Sequence, residues 1–146
     1  MIQRIQTVFL LLAVIALGLF LWQPLIQLDI PHNPIAIKGW DVVQRYNGWI
    51  YFINVIFTGT AIGLSLIGIF LYKSRDLQML ICWFAIVMIA AAEGFVFYEY
   101  RTYVFPGDVI FTPWNLLAAA AAVFEILAYF YIRKDENTIK SMDRLR

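Results

Sequence analysis

The sequence predicts an all-α integral membrane protein, a single four-helix antiparallel bundle occupying residues 1–146 as one domain. Three observations carry this expectation. Of 146 residues, 62% are hydrophobic and 14% charged, whereas a water-soluble domain has roughly 45–50% and about 25%. Mean hydropathy is +0.75. Finally, four apolar runs are each long enough to cross ~30 Å of hydrocarbon at ~1.5 Å per residue. Backbone amides cannot stay unpaired in lipid, so each run is expected to be a helix.

The first run covers about residues 5–22 and holds no charge. Arg4 precedes it, as a basic residue precedes a secretory signal, but the exit Trp22-Gln23-Pro24 has no small-x-small cleavage pattern. The helix is therefore expected to be retained. The second run covers about 49–72 and the third about 77–98. Only Lys73 to Asp76 separate them, which predicts a tight antiparallel hairpin. The fourth covers about 114–132 and leads into a polar tail, 133–146. In that tail Ile139, Met142 and Leu145 recur every third position, as expected of an amphipathic helix on the inner leaflet. An anchor enforcing topology, or a docking tail, fits the same pattern.

The two remaining connectors are longer. Pro24, Pro31 and Pro34 break helix between Gln23 and Gly48, and Pro106-Gly107-Asp108 signals a turn between Glu99 and Pro113. Arg101 to Phe105 is aromatic and β-branched, which favours a short extended piece. Together the two segments are expected to form a small outer cap. Lysine and arginine placement sets the orientation. Arg4, Lys73, Arg75, Arg133, Lys134, Lys140, Arg144 and Arg146 fall on one side; Lys38, Arg45 and Arg101 fall on the other. Both termini are therefore expected in the cytoplasm. Trp22, Trp49, Tyr98 and Trp114 mark the outer interface, and Tyr72, Trp83 and Tyr131 the inner one.

Polar residues inside the spans recur at helical spacing. Asn54, Thr58, Ala61, Ser65, Gly68 and Tyr72 share one face of the second helix, and Gly59/Gly63 form a small-xxx-small pair on a neighbouring face. Asn115, Ala118, Ala122, Glu125 and Tyr129 align on the fourth. Such stripes belong against another helix, not against lipid. Glu125 lies roughly 16 Å below Trp114, near the midplane, and Glu93 lies roughly 9 Å below Glu99. An ionised acid near the centre of a span costs about 2.5–3.5 kcal/mol. Each carboxyl is therefore expected to be protonated, hydrogen-bonded, or both. Matching depths pair Glu93 with Asn54, and Glu125 with the Thr58/Ser65 face. Functionally these acids read as a proton or cation path or a polar ligand site; structurally they read as struts between helices.

Several function classes fall away. A net charge of +1 gives no field for nucleic acid. One cysteine excludes an internal disulfide, a thiol redox pair and an all-cysteine metal site, and with them a four-helix thiol–quinone oxidoreductase. One histidine excludes a haem held between two histidines of this chain. Cys82 reads as a small buried apolar side chain and His32 as an ordinary loop residue. No phosphate loop, zinc spacing or Ser/His/Asp set is present, so no catalytic residue, metal or cofactor is expected.

The opening, Met1 to Leu12 (MIQRIQTVFLLL), and the ending, Ile132-Arg133-Lys134-Asp135-Glu136 followed by Ser141 to Arg146, carry a resemblance. They resemble a Bacteroidota family of small four-span inner-membrane proteins catalogued as a domain of unknown function. The resemblance implies an inner-membrane location and no catalytic residue. It also directs attention to the termini, where Arg4, Arg144 and Arg146, with Gln3, Gln6 and Thr7, would form one cytoplasmic docking patch. The expected function is a non-catalytic accessory or assembly subunit of a larger membrane complex. A small proton- or ion-coupled transporter using Glu93 and Glu125 is the alternative, ahead of an enzyme acting on lipid or quinone. A homo-oligomer through Gly59/Gly63 is also open.

Overall fold

The computed structural model describes residues 2–29, 35–38, 49–102 and 108–143. Within them the chain forms α1 (Ile2–Trp22), β1 (Pro24–Asp29), β2 (Ile35–Lys38), α2 (Trp49–Phe70), α3 (Arg75–Thr102), β3 (Asp108–Phe111) and α4 (Leu116–Asp143). A 3₁₀ turn, Pro113–Asn115, leads into α4. The helices neighbour one another in the order α1–α2–α3–α4, with α4 closing back onto α1. Each helix therefore has two neighbours, and α2 stands diagonally opposite α4.

Buried positions follow a spacing of three and four. On α3 they are Gln78, Cys82, Ala85, Ile89, Ala92 and Val96; on α2 they are Asn54, Thr58, Ala61, Ser65 and Gly68. This 3.5-residue period keeps one seam facing the partner helices over many turns. On α4 the seam runs through Ala118, Ala121, Glu125, Ala128 and Ile132, and Ala122 and Tyr129, expected in it, are only half-buried. The core side chains divide into two apolar clusters. One holds Ala13, Leu17, Phe20, Ala61, Ile89, Val96, Ala118 and Ala121. The other, at the end where the termini lie, holds Leu10, Cys82, Ala128 and Ile132.

Large apolar side chains point outwards. Val8, Ile15, Ile67, Phe70, Phe84, Val87, Phe97, Leu116, Val123 and Phe130 are all exposed, while the interior mixes alanine, serine, threonine and one glutamate with Leu10, Leu17, Phe20, Ile89 and Ile132. In water such a surface would drive association. In hydrocarbon it is the favourable arrangement, because small interior residues let backbones approach and polar ones find partners. All four helices are long and apolar enough to cross a membrane. Trp22, Tyr98 and Trp114 are exposed towards one end, and Tyr72 and Trp83 towards the other.

The described parts of the two longer connectors form a sheet. β1 pairs antiparallel with both β2 and β3, giving a three-stranded sheet of order β2-β1-β3. Gln27 faces Ala36 on one side and Ile110 on the other. The cap therefore joins the first connector to the third. Thr112 Oγ1 donates to the Pro24 carbonyl at 2.5 Å, tying the entry of α4 to the exit of α1. Pro113 then opens the 3₁₀ turn, where its missing N–H costs nothing.

Two boundaries differ from the sequence expectation. Arg101 and Thr102 are the last turn of α3, not an extended piece; residues 103–105 lie outside the described residues. The separate tail at 133–146 is instead a continuation of α4 to Asp143. Charge ends the apolar run, but it does not end a helix. Residues 133–143 contain no glycine or proline, and two ion pairs hold them. Lys140 Nζ lies 2.5 Å from Glu136 Oε1 one turn away, and Asp135 is bound by Arg75.

Candidate functional site

Glu125 sits between the two apolar clusters. Ala121 on one side belongs to the first cluster and Ala128 on the other to the second. Its carboxyl is fully buried, as are Ser65, Thr58 and Cys82. Ser65 Oγ and Glu125 Oε1 are 2.5 Å apart, so the structure brings together the two side chains that depth matching paired. The bond joins α2 to α4 across the bundle diagonal, through its centre.

The Ser65 hydroxyl has a second contact, 2.8 Å to the Ala61 carbonyl. One hydroxyl carries one hydrogen, so with an ionised carboxyl it would share that hydrogen between two acceptors. Both contacts are full two-centre hydrogen bonds only when the Glu125 carboxyl is protonated. It then donates to Ser65 Oγ, and Ser65 donates to Ala61. This one-way chain leaves no net charge at the centre of the bundle, where an ion would be costly. Glu125 Oε2 is buried without a hydrogen-bond partner.

The remaining sequence candidates separate from this site. Thr58 Oγ1 donates to Asn54 Oδ1 at 3.5 Å, within its own helix. The expected Glu93–Asn54 contact does not form: Glu93 Oε1 has no partner. Its helix buries Ala92 and Val96, which turns Glu93 to the flank of the seam, half-buried. A Cβ added at Gly59 or Gly63 would meet nothing within 4 Å. The pair therefore does not pack inside the bundle and lies open on its outer surface. Gln6 is 3% exposed, which removes it from the docking patch expected at the termini. The side chain of Arg4 and all of Arg144, Arg146 and His32 lie outside the described residues.

A polar layer that sequence reasoning missed closes the bundle at the termini. Arg75 Nε and Nη2 lie 2.9 and 2.8 Å from Asp135 Oδ2, joining the first residue of α3 to α4. Gln78 Nε2 donates to the Gly68 carbonyl at 2.9 Å. That carbonyl lies in the last turn of α2, where backbone acceptors lack an intrahelical donor. The signal was available: Gln78 occupies the seam one turn before Cys82, and Asp135 one step past Ile132. Among the described residues no three His, Cys, Asp or Glu side chains converge to hold a metal ion.

No match was found among curated proteins or among solved structures. A family model described as a domain of unknown function, DUF4293, matches residues 2–145. Nearly the whole chain is thus accounted for by one domain, and the protein belongs to the DUF4293 family.

Proposed function

We propose that this chain is a non-catalytic accessory or assembly subunit of a bacterial inner-membrane complex, in the Bacteroidota as its terminal motifs suggest. It threads the bilayer four times with both ends in the cytoplasm, following the lysine and arginine asymmetry. The observation that carries this reading is the open Gly59/Gly63 seam. Small residues spaced by four are an approach surface for another helix, and among the described residues none packs against it. The internal polar groups, by contrast, are largely engaged with each other: Glu125 with Ser65, Thr58 with Asn54, Arg75 with Asp135.

Mild-detergent purification at native expression level tests the proposal. A distinct membrane protein should copurify in fixed proportion with the wild type and be lost from the Gly59→Leu/Gly63→Leu variant, with the bundle still folded. Recovery of a second copy in its place would make the seam a homodimer contact. Copurification unaffected by the substitutions would contradict the assignment of the seam.

A second reading, a small proton- or ion-coupled transporter, is favoured by one observation. Glu125 Oε2 and Glu93 Oε1 are both buried atoms without hydrogen-bond partners. A transporter in vesicles should move protons or cations and stop in Glu125→Gln, which keeps a hydrogen-bonding amide but cannot titrate. A strut should show no flux in either form.

A further inference from the structure

We propose that the outward face of α4 between Phe130 and Ser141 binds the headgroup of an anionic phospholipid. Phe130, Arg133, Lys134, Asn137, Thr138 and Ser141 line an open groove of about 500 Å³ there. Their spacing of three and four places them along one side of the helix. Apolar sequence ends at Ile132, so the exposed Phe130 ring is the last hydrocarbon-facing group. Arg133 and Lys134 are the first cations beyond it.

The distribution of charge on this segment singles out those two. Asp135 is bound by Arg75 from the start of α3, and Glu136 is bound by Lys140. Asp135 and Glu136 thus each have their own cation, and among the described residues none engages Arg133 or Lys134. The hydroxyls of Thr138 and Ser141 donate to the Lys134 and Thr138 carbonyls of their own helix. The donors left facing the groove are the two exposed cations and the Asn137 amide. That set suits a phosphodiester, and charge-assisted bonds to phosphate are the strong ones.

A lipid, not a soluble phosphate, fits because an aromatic wall continues towards the hydrocarbon. Tyr129 packs against Phe130 with ring centroids 5.8 Å apart, and exposed Trp83 packs edge-on to Tyr129 at 5.9 Å. Acyl chains would lie along these rings with the headgroup among the cations. An anionic headgroup gains from both charges, whereas a zwitterionic one brings its own cation into the groove.

The full-length protein in detergent, titrated separately with phosphatidylglycerol and phosphatidylcholine and read by native mass spectrometry, tests this. The wild type should retain phosphatidylglycerol preferentially. Arg133→Gln/Lys134→Gln should weaken that binding on the order of ten- to thirtyfold, from about 1 kcal/mol per basic residue at an anionic surface. Lys140→Gln should leave it unchanged, because Lys140 is held by Glu136. All three substituted side chains are exposed, so an unaltered melting curve should accompany every variant. Equal retention of the two lipids would overturn the proposal. So would a preference surviving the double substitution, which would leave this face to an acidic protein surface. An equal loss in Lys140→Gln, pointing to unspecific attraction, would overturn it as well.

Discussion

Glu125 and Glu93 are carboxyls in the same kind of apolar surroundings, and the bundle treats them differently. Glu125 occupies a seam position between two apolar clusters and meets Ser65 from the diagonal helix. Glu93 stands beside the seam, half-buried, with one oxygen unpartnered, while the amide at its own depth bonds within its own helix. Each lies level with polar groups on α2, but only Glu125 also faces them around its helix axis. A polar side chain becomes a contact between helices only when both coordinates agree.

The comparison is broken most forcefully at Glu125. Glu125→Ala removes a fully buried side chain from the centre of the bundle and leaves a cavity, so it should cost ~2–4 kcal/mol in chemical unfolding from mixed micelles. Glu125→Gln should cost less than about 1 kcal/mol, because its amide can donate to Ser65 in place of the acid proton. If the two variants were equally damaging, the strut would be wrong and the proton itself would be needed for folding.

Next in size is the polar layer at the termini, where Arg75→Ala strands Asp135 at 13% side-chain exposure. The expected loss is about 1–3 kcal/mol. Arg75→Ala combined with Asp135→Ala should lose less than the sum of the two singles in the same assay. An additive result would mean that the ion pair holds nothing together.

The smallest expected effect sharpens the other half of the comparison. Glu93→Gln and Asn54→Ala should show a coupling energy within about 0.5 kcal/mol of zero, since the groups do not meet. A coupling above about 1 kcal/mol would restore the contact that depth alone suggested.

Much of the fold was legible in the sequence because four long apolar runs constrain it so tightly. Four apolar runs without charged faces leave no alternative to four helices, and Ser65 and Glu125 stood on polar stripes at matching depths. What stayed hidden was of two kinds. Strand pairing between β1 and β3 joins residues roughly eighty positions apart, and nothing local in Pro24–Asp29 or Asp108–Phe111 encodes that partner. The end of α4 was misplaced because Arg133 to Glu136 change the solvent and not the backbone preference, since lysine, arginine and glutamate are good helix formers. Gln6 was expected in a docking patch and is buried, and Gln78 was not singled out, although the 3.5-residue period places it in the seam.

The central claim is that a neutral Glu125 donates to Ser65 between helices of the same chain, and infrared spectroscopy of the protein in lipid reads it directly. At neutral pH a protonated-carboxyl band should be present, should lose a component in Glu125→Gln, and should shift in Ser65→Ala as its bond is lost. A spectrum showing only ionised carboxylates, or a carboxyl band untouched by Glu125→Gln, would contradict the account.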